Sequence, residues 1–164
     1  MAKSELAQLN LAHPRGRIDS PLMADFVSAL DRVNALAEAS PGFVWRLKDD
    51  SGNATALRPL GDDTIVNMSV WKDVESLHAF VYRSDHVEVM RRRREWFEKM
   101  ELYMVLWWVP SGHRPTMAEA IERLEMLRER GPTPEAFTFR MSFPPPGAAP
   151  AADEGSFDEP CPAT

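Results

Sequence analysis

Residues 4–13 alternate in a two-residue period. Leu6, Gln8, Asn10 and Ala12 fall on one face, and Ala7, Leu9, Leu11 and His13 on the other, which predicts a strand. Ser20-Pro21 then carries an N-cap and first-turn signal. Leu22, Phe26, Ala29, Leu30, Val33, Leu36 and Ala37 follow at helical spacing, and Pro41-Gly42 ends the helix. A second strand is expected over 43–48, with turn chemistry in the DDSGN run at 49–53. A loop through 59–62 leads to a third strand at 64–71. Helical spacing returns over 73–100, in two pieces broken near Ser84-Asp85. Val74, Leu77, His78 and Val81 make the first stripe; His86, Val89, Met90, Arg93, Phe97 and Met100 make the second. A fourth strand is expected over 101–110. Thr116 and Glu119 form a capping box for a helix carrying Met117, Ala120, Ile121, Leu124 and Leu127 inward, closed by Gly131-Pro132. A short final strand is expected over 136–141.

This order is β-α-β-β-α-β with an αβ extension. It predicts an α+β domain, an antiparallel sheet with helices on one face. The fourth strand is apolar on both sides: Leu102, Met104, Leu106 and Trp108 face one way, and Tyr103, Val105, Trp107 and Val109 the other. Both faces must therefore be covered. Helices cover one; with no second helical layer expected, the other is expected to meet a second copy, since an open face bearing Trp invites aggregation.

Composition sharpens the boundaries. The chain has 164 residues and a net charge of −6, enough for one core but without the basic face of a nucleic-acid binder. Residues 144–164 hold six of the 14 prolines, four acids and no Lys or Arg. This span reads as a disordered or extended acidic tail on a domain at 1–143. The single cysteine, Cys161, lies in that tail, so no intramolecular disulfide or Cys-based zinc site is expected. No stretch approaches the roughly 18 apolar residues of a membrane span, and the N-terminus lacks a signal-type apolar run. A cytoplasmic protein without membrane partners is expected.

Several segments carry a resemblance: Ala7-Gln8-Leu9-Asn10; Asn67-Met68-Ser69-Val70-Trp71 running into Ser76-Leu77-His78-Ala79-Phe80-Val81-Tyr82; Ser84-Asp85-His86; Arg94-Glu95-Trp96-Phe97; Leu106-Trp107-Trp108-Val109-Pro110; Gly112-His113 with Pro115-Thr116; and 131–137. Over about residues 4–141 the chain resembles the dimeric α+β barrel (ferredoxin-like) superfamily, which includes antibiotic-biosynthesis monooxygenases. Within it, the closer likeness is to a bacterial domain-of-unknown-function family. The resemblance implies a homodimer and a pocket between the sheet and the helices of each protomer. Haem-degrading relatives use an Asn on the first strand, then a Trp and a His on the helix after the third. Asn10 fits the first place, and the other two fall on Phe80 and Met90. Quinone-forming relatives are cofactor-free oxygenases that surround a polycyclic phenol with Trp, Asn, Arg or Tyr; Asn10, Asn67, Trp71, Tyr82 and Arg93 supply those types.

The candidate chemistry follows from polar residues on apolar strands. Asn67 and Ser69 share a face with Ile65 and Trp71, and Gln8 stands with Asn10. If both sets share the helix-covered face, they converge on an apolar cavity suited to a small apolar or aromatic ligand. His86 and His78 are candidate general bases, with Asn10 and Asn67 as oxyanion donors. Trp71, Tyr82, Ser69, Arg93 and Trp108 are candidate substrate contacts. No cofactor is expected in this scheme. The alternatives are a haem protein with His86 or His78 as axial ligand, and a non-catalytic ligand-binding or accessory module. Trp107 and Trp108 must point to opposite faces, so at most one lines a pocket. The arginines at 91–94 sit among Glu88, Glu95 and Glu98 and span more than a helical turn, so they read as a solvated face with ion pairs.

Overall fold

Nine consecutive residues, Ser4–Ala12, form β1, which pairs antiparallel along both edges. On one side lies β3 (Ile65–Trp71), in a register that sets Leu6 against Trp71, Gln8 against Ser69 and Asn10 against Asn67. On the other lies β4 (Met104–Pro110), with Leu6 against Trp108 and Asn10 against Met104. The short β2 (Phe43–Arg46) pairs with the outer edge of β3, so the order is β2-β3-β1-β4. These strands belong to a computed structural model that describes residues 3–48, 64–83, 86–99 and 103–148. The predicted turn at 49–53, the loop at 59–62, the break at Ser84-Asp85, Met100, the first residues of the fourth strand and the tail beyond 148 with Cys161 lie outside the described residues.

One sheet face carries Ala7, Leu9, Leu11, Val66, Met68, Val70, Val105, Trp107 and Val109. They form a single buried cluster with Ala120, Leu124 and Leu127 of α5 (Met117–Arg130). The expectation of no second helical layer is therefore wrong. The extension helix returns across the sheet of its own chain and removes the open face from which a second copy was inferred. Its start is specified locally. Thr116 is extended, and its Oγ1 accepts the Glu119 backbone N–H at 3.2 Å. The return half of the capping box is replaced: the Glu119 carboxylate accepts from Trp107 Nε1 at 3.0 Å and from His113 Nε2 at 2.7 Å. These bonds tie the helix start to the strand beneath it.

The opposite face carries Leu6, Gln8, Asn10, Ala12, Ile65, Asn67, Ser69 and Trp71, with Met104, Leu106 and Trp108. It is covered by α1 (Ala24–Ala39) and α2 (Val74–Arg83). A 3-10 turn, Pro21–Met23, precedes α1, and Ser20 Oγ donates back to the Arg17 carbonyl instead of capping the helix. Asp73 Oδ1 opens α2 by accepting from the Ser76 backbone N–H at 2.8 Å and its hydroxyl at 2.6 Å. Gly42, at φ +85°, lets the chain enter β2 hard against that turn. A Cβ there would run into Ser76. The long helical region is three pieces rather than two: α2, α3 (His86–Arg91) and α4 (Arg93–Trp96), the last break falling at Arg92. The predicted last strand is reduced to two isolated bridges, Ala136 with Thr133 and Phe137 with Leu106, the latter pair exchanging two backbone hydrogen bonds of 2.8 Å.

Candidate functional site

The polar residues of β1 and β3 meet on the face under α1 and α2. Because Gln8 opposes Ser69 and Asn10 opposes Asn67, their side chains form a ladder across two strands. Gln8 Nε2 donates to Asn67 Oδ1 at 2.6 Å and to Ser69 Oγ at 2.9 Å. Trp71 Nε1 donates to the same Ser69 Oγ at 2.8 Å. Both Gln8 amide protons and both Ser69 lone pairs are thus consumed. The Asn67 amide protons, the Ser69 hydroxyl proton and the whole Asn10 amide have no partner among the described residues. The floor therefore presents hydrogen-bond donors to whatever lies above it.

Above it is a cavity of ≈ 180 Å³. Its roof is the inward row of α1, Phe26, Ala29, Leu30 and Val33, and only Ala37 of that helix is buried. The helix spans an opening instead of seating on the sheet. Trp71 makes one wall, stacked on Phe80 at 5.2 Å and met edge-on by Phe43 at 5.4 Å. At the other end Arg93 lies over the Tyr103 ring at 4.6 Å, near Phe97 at 5.5 Å. Burial pulls the Arg93 pKa below its ordinary value, opposed by its interaction with Tyr103.

Of the residues singled out from sequence, Asn10, Asn67, Ser69, Trp71, Tyr82 and Arg93 line the cavity, and Gln8 joins them. Two do not. Trp108 turns away: its Nε1 donates to the Phe143 carbonyl at 2.8 Å, and its ring lies against Phe137. Since Trp107 points to α5, neither of the adjacent tryptophans reaches the cavity. His78 is not part of the lining; its ring packs on Tyr82 at 4.5 Å and Phe139 at 5.6 Å. Its place in an apolar stripe reflects aromatic packing. The backbone of His86 opens α3, and its side chain lies outside the described residues. No described histidine lines the cavity, and of the two candidate axial ligands His78 is packed away from it. No cluster of metal-ligating side chains occurs among the described residues.

Arg46, Phe26, Val33 and Tyr103 also line the site and were missed. The α1 residues have the apolar spacing of any core-facing helix, which does not distinguish a roof from a packed face. Tyr103 has the parity of Trp107, but it precedes β4, where strand alternation does not yet apply.

A four-stranded antiparallel sheet in the order β2-β3-β1-β4, with helices over an amide-bearing face, defines an α+β domain of the ferredoxin-like class. Over residues 5–153 the chain matches the family described as a domain of unknown function (DUF3291), and it belongs to that family. No curated protein matches it. Among solved structures it is similar to SnoaB, a cofactor-independent oxygenase from Streptomyces nogalater. That likeness has 19% identity and a TM-score of 0.43, covering 71% of this chain and 99% of that one. It is also similar to a protein of unknown function from Nitrosomonas europaea, with 14% identity and a TM-score of 0.44, over 71% of this chain and 97% of that one.

Proposed function

We propose that this protein is a small-molecule enzyme that holds a polycyclic phenol between the sheet and α1, and oxygenates it without a nucleotide cofactor. The observation that carries this reading is the set of unspent donors on Asn10, Asn67 and Ser69 at the floor of a largely apolar cavity. Amide N–H groups held in place, in a site from which a bound ring expels water, stabilise a developing phenolate far better than mobile water does. Trp71 and Phe80 supply flat walls for a ring system. In the reaction, a phenolic ring carbon loses its hydrogen and gains one oxygen atom from dioxygen. The phenol oxygen becomes the second quinone carbonyl, and the other oxygen atom leaves as water. The ring supplies the electrons, and the ionised phenol is the electron-rich form, so holding the phenolate is the protein's contribution.

Anthrone, whose enol is such a phenol, is a direct probe. Oxygen uptake with formation of anthraquinone and water is expected from the purified protein. Asn67→Ala and Asn10→Ala are each expected to lower the rate by about 10²-fold, the usual effect of losing an oxyanion donor. Oxygen uptake no faster than in buffer, with the phenol bound, overturns the enzyme reading. One observation favours the second reading, a binding module. The titratable side chains among the described cavity residues are Arg46, Arg93, Tyr82 and Tyr103, none of which is a customary base near neutral pH.

A further inference from the structure

Among the described residues two guanidinium groups line the cavity, and they differ in one respect. Arg46 is neutralised inside the fold, its Nε donating to Glu38 Oε1 at 2.8 Å. Arg93 has no carboxylate partner among the described residues. Its neighbours in the arginine run do: Arg91 pairs with Glu88 at 3.3 Å, and Arg92 with Asp25 at 2.7 Å and Glu95 at 2.8 Å. Those two point outward and Arg93 points in. Its single acceptor among the described residues is the Leu11 carbonyl, at a long 3.4 Å from Nη2. The faces of Tyr103 and Phe97 attract the cation without using its N–H donors. A guanidinium stays charged at any physiological pH and carries five donors in a fixed fork. Most of that fork is unspent, in a half-buried place where an uncompensated charge is costly.

Its position fits a ligand. Leu11 follows Asn10 along β1, so the cation borders the donor floor at the end away from Trp71, which opposes Leu6. Phe26, Leu30, Val89 and Met90 line the same cavity.

We infer that the ligand is an aromatic acid, its carboxylate held by the Arg93 fork and its ring lying toward Trp71. This rests on the reading of the cavity as an aromatic site and adds the charge of its occupant. A carboxylate matches two parallel N–H donors, while a phenol oxygen is the better match for single amide donors such as Asn10 and Asn67.

The test is titration calorimetry with two probes of one shape, 2-naphthoate and the neutral 2-naphthamide, at pH 7 and moderate salt. The wild type is expected to bind naphthoate about tenfold or more tightly than naphthamide, the scale of a charge-assisted pair. Arg93→Gln is expected to erase that preference by weakening naphthoate about tenfold more than naphthamide, because the amide forms no ion pair. Arg93→Lys is expected to keep part of the preference. A structural role alone would weaken both probes equally. Should Arg93→Gln not fold, Arg93→Met keeps the stem without the charge, and the wild-type comparison decides by itself. Equal wild-type affinities, or a preference that survives loss of the charge, overturn this inference and leave the aromatic cavity standing. Binding of neither probe overturns both.

Discussion

Ser69 contributes a single oxygen to the cavity floor, and that atom accepts from both Gln8 and Trp71. Trp71 is only 1% exposed, so its indole N–H has no recourse to water. Ser69→Ala is expected to strand that donor and one Gln8 proton, costing about 1–3 kcal/mol. Urea denaturation would show this as a lower midpoint with an unchanged slope. The same residue explains why the site was partly legible. Strand parity alone puts Gln8 with Asn10 and Ser69 with Asn67, and a polar pair on an apolar strand demands partners. That the two pairs oppose each other rung for rung is a matter of register, which hydrophobic alternation does not specify for two strands 59 residues apart in their Gln8–Asn67 contact. His78 was misleading for the opposite reason. A histidine in an apolar stripe has the same spacing whether it faces a ligand or, like His78, packs against Tyr82 and Phe139.

At the scale of elements, β1, β3, α1 and α5 lie close to where periodicity and capping signals placed them. The errors occur where an element's role depends on what it packs against. The segment after α5 has strand composition but pairs with β4 only at Leu106, beside a local Thr133–Ala136 bridge, so no continuous strand forms. The packing of α5 on the sheet was hidden because an amphipathic helix does not encode which sheet face receives it. What anchors it is visible in structure. Burial raises the Glu119 pKa, but bonds from His113 and Trp107, with the charges of His113 and Arg123, outweigh it and hold the carboxyl below its ordinary value. A depressed carboxylate pKa contributes stability that is complete above the unfolded value, about 4.3. That contribution is lost as the pH falls through the lower folded value. Glu119→Gln is expected to destabilise the protein near neutral pH and to flatten the acid limb of its stability profile. Thermal melts of both proteins between about pH 3 and pH 7 would show the curves converging on the acid side if the assignment holds.

At the scale of the molecule, the described residues form one sheet with helices on both faces, and the two layers differ in kind. The α5 layer is dry and continuous, with Leu9, Val70, Val105, Trp107 and Ala120 fully buried. Among the described residues, no helix is long and apolar enough to cross a membrane. On the other face, α1 rests on its ends with Phe26, Leu30 and Val33 lining an opening rather than a packed interior. A helix held over a gap leaves apolar surface within reach of water in the unliganded protein. Filling the gap dehydrates that surface, and dehydration of apolar surface lowers the heat capacity. Calorimetric titration of a bound aromatic at several temperatures is therefore expected to give an enthalpy that grows more exothermic on warming. An enthalpy independent of temperature would mean that the ligand sits elsewhere, on a surface that water never leaves.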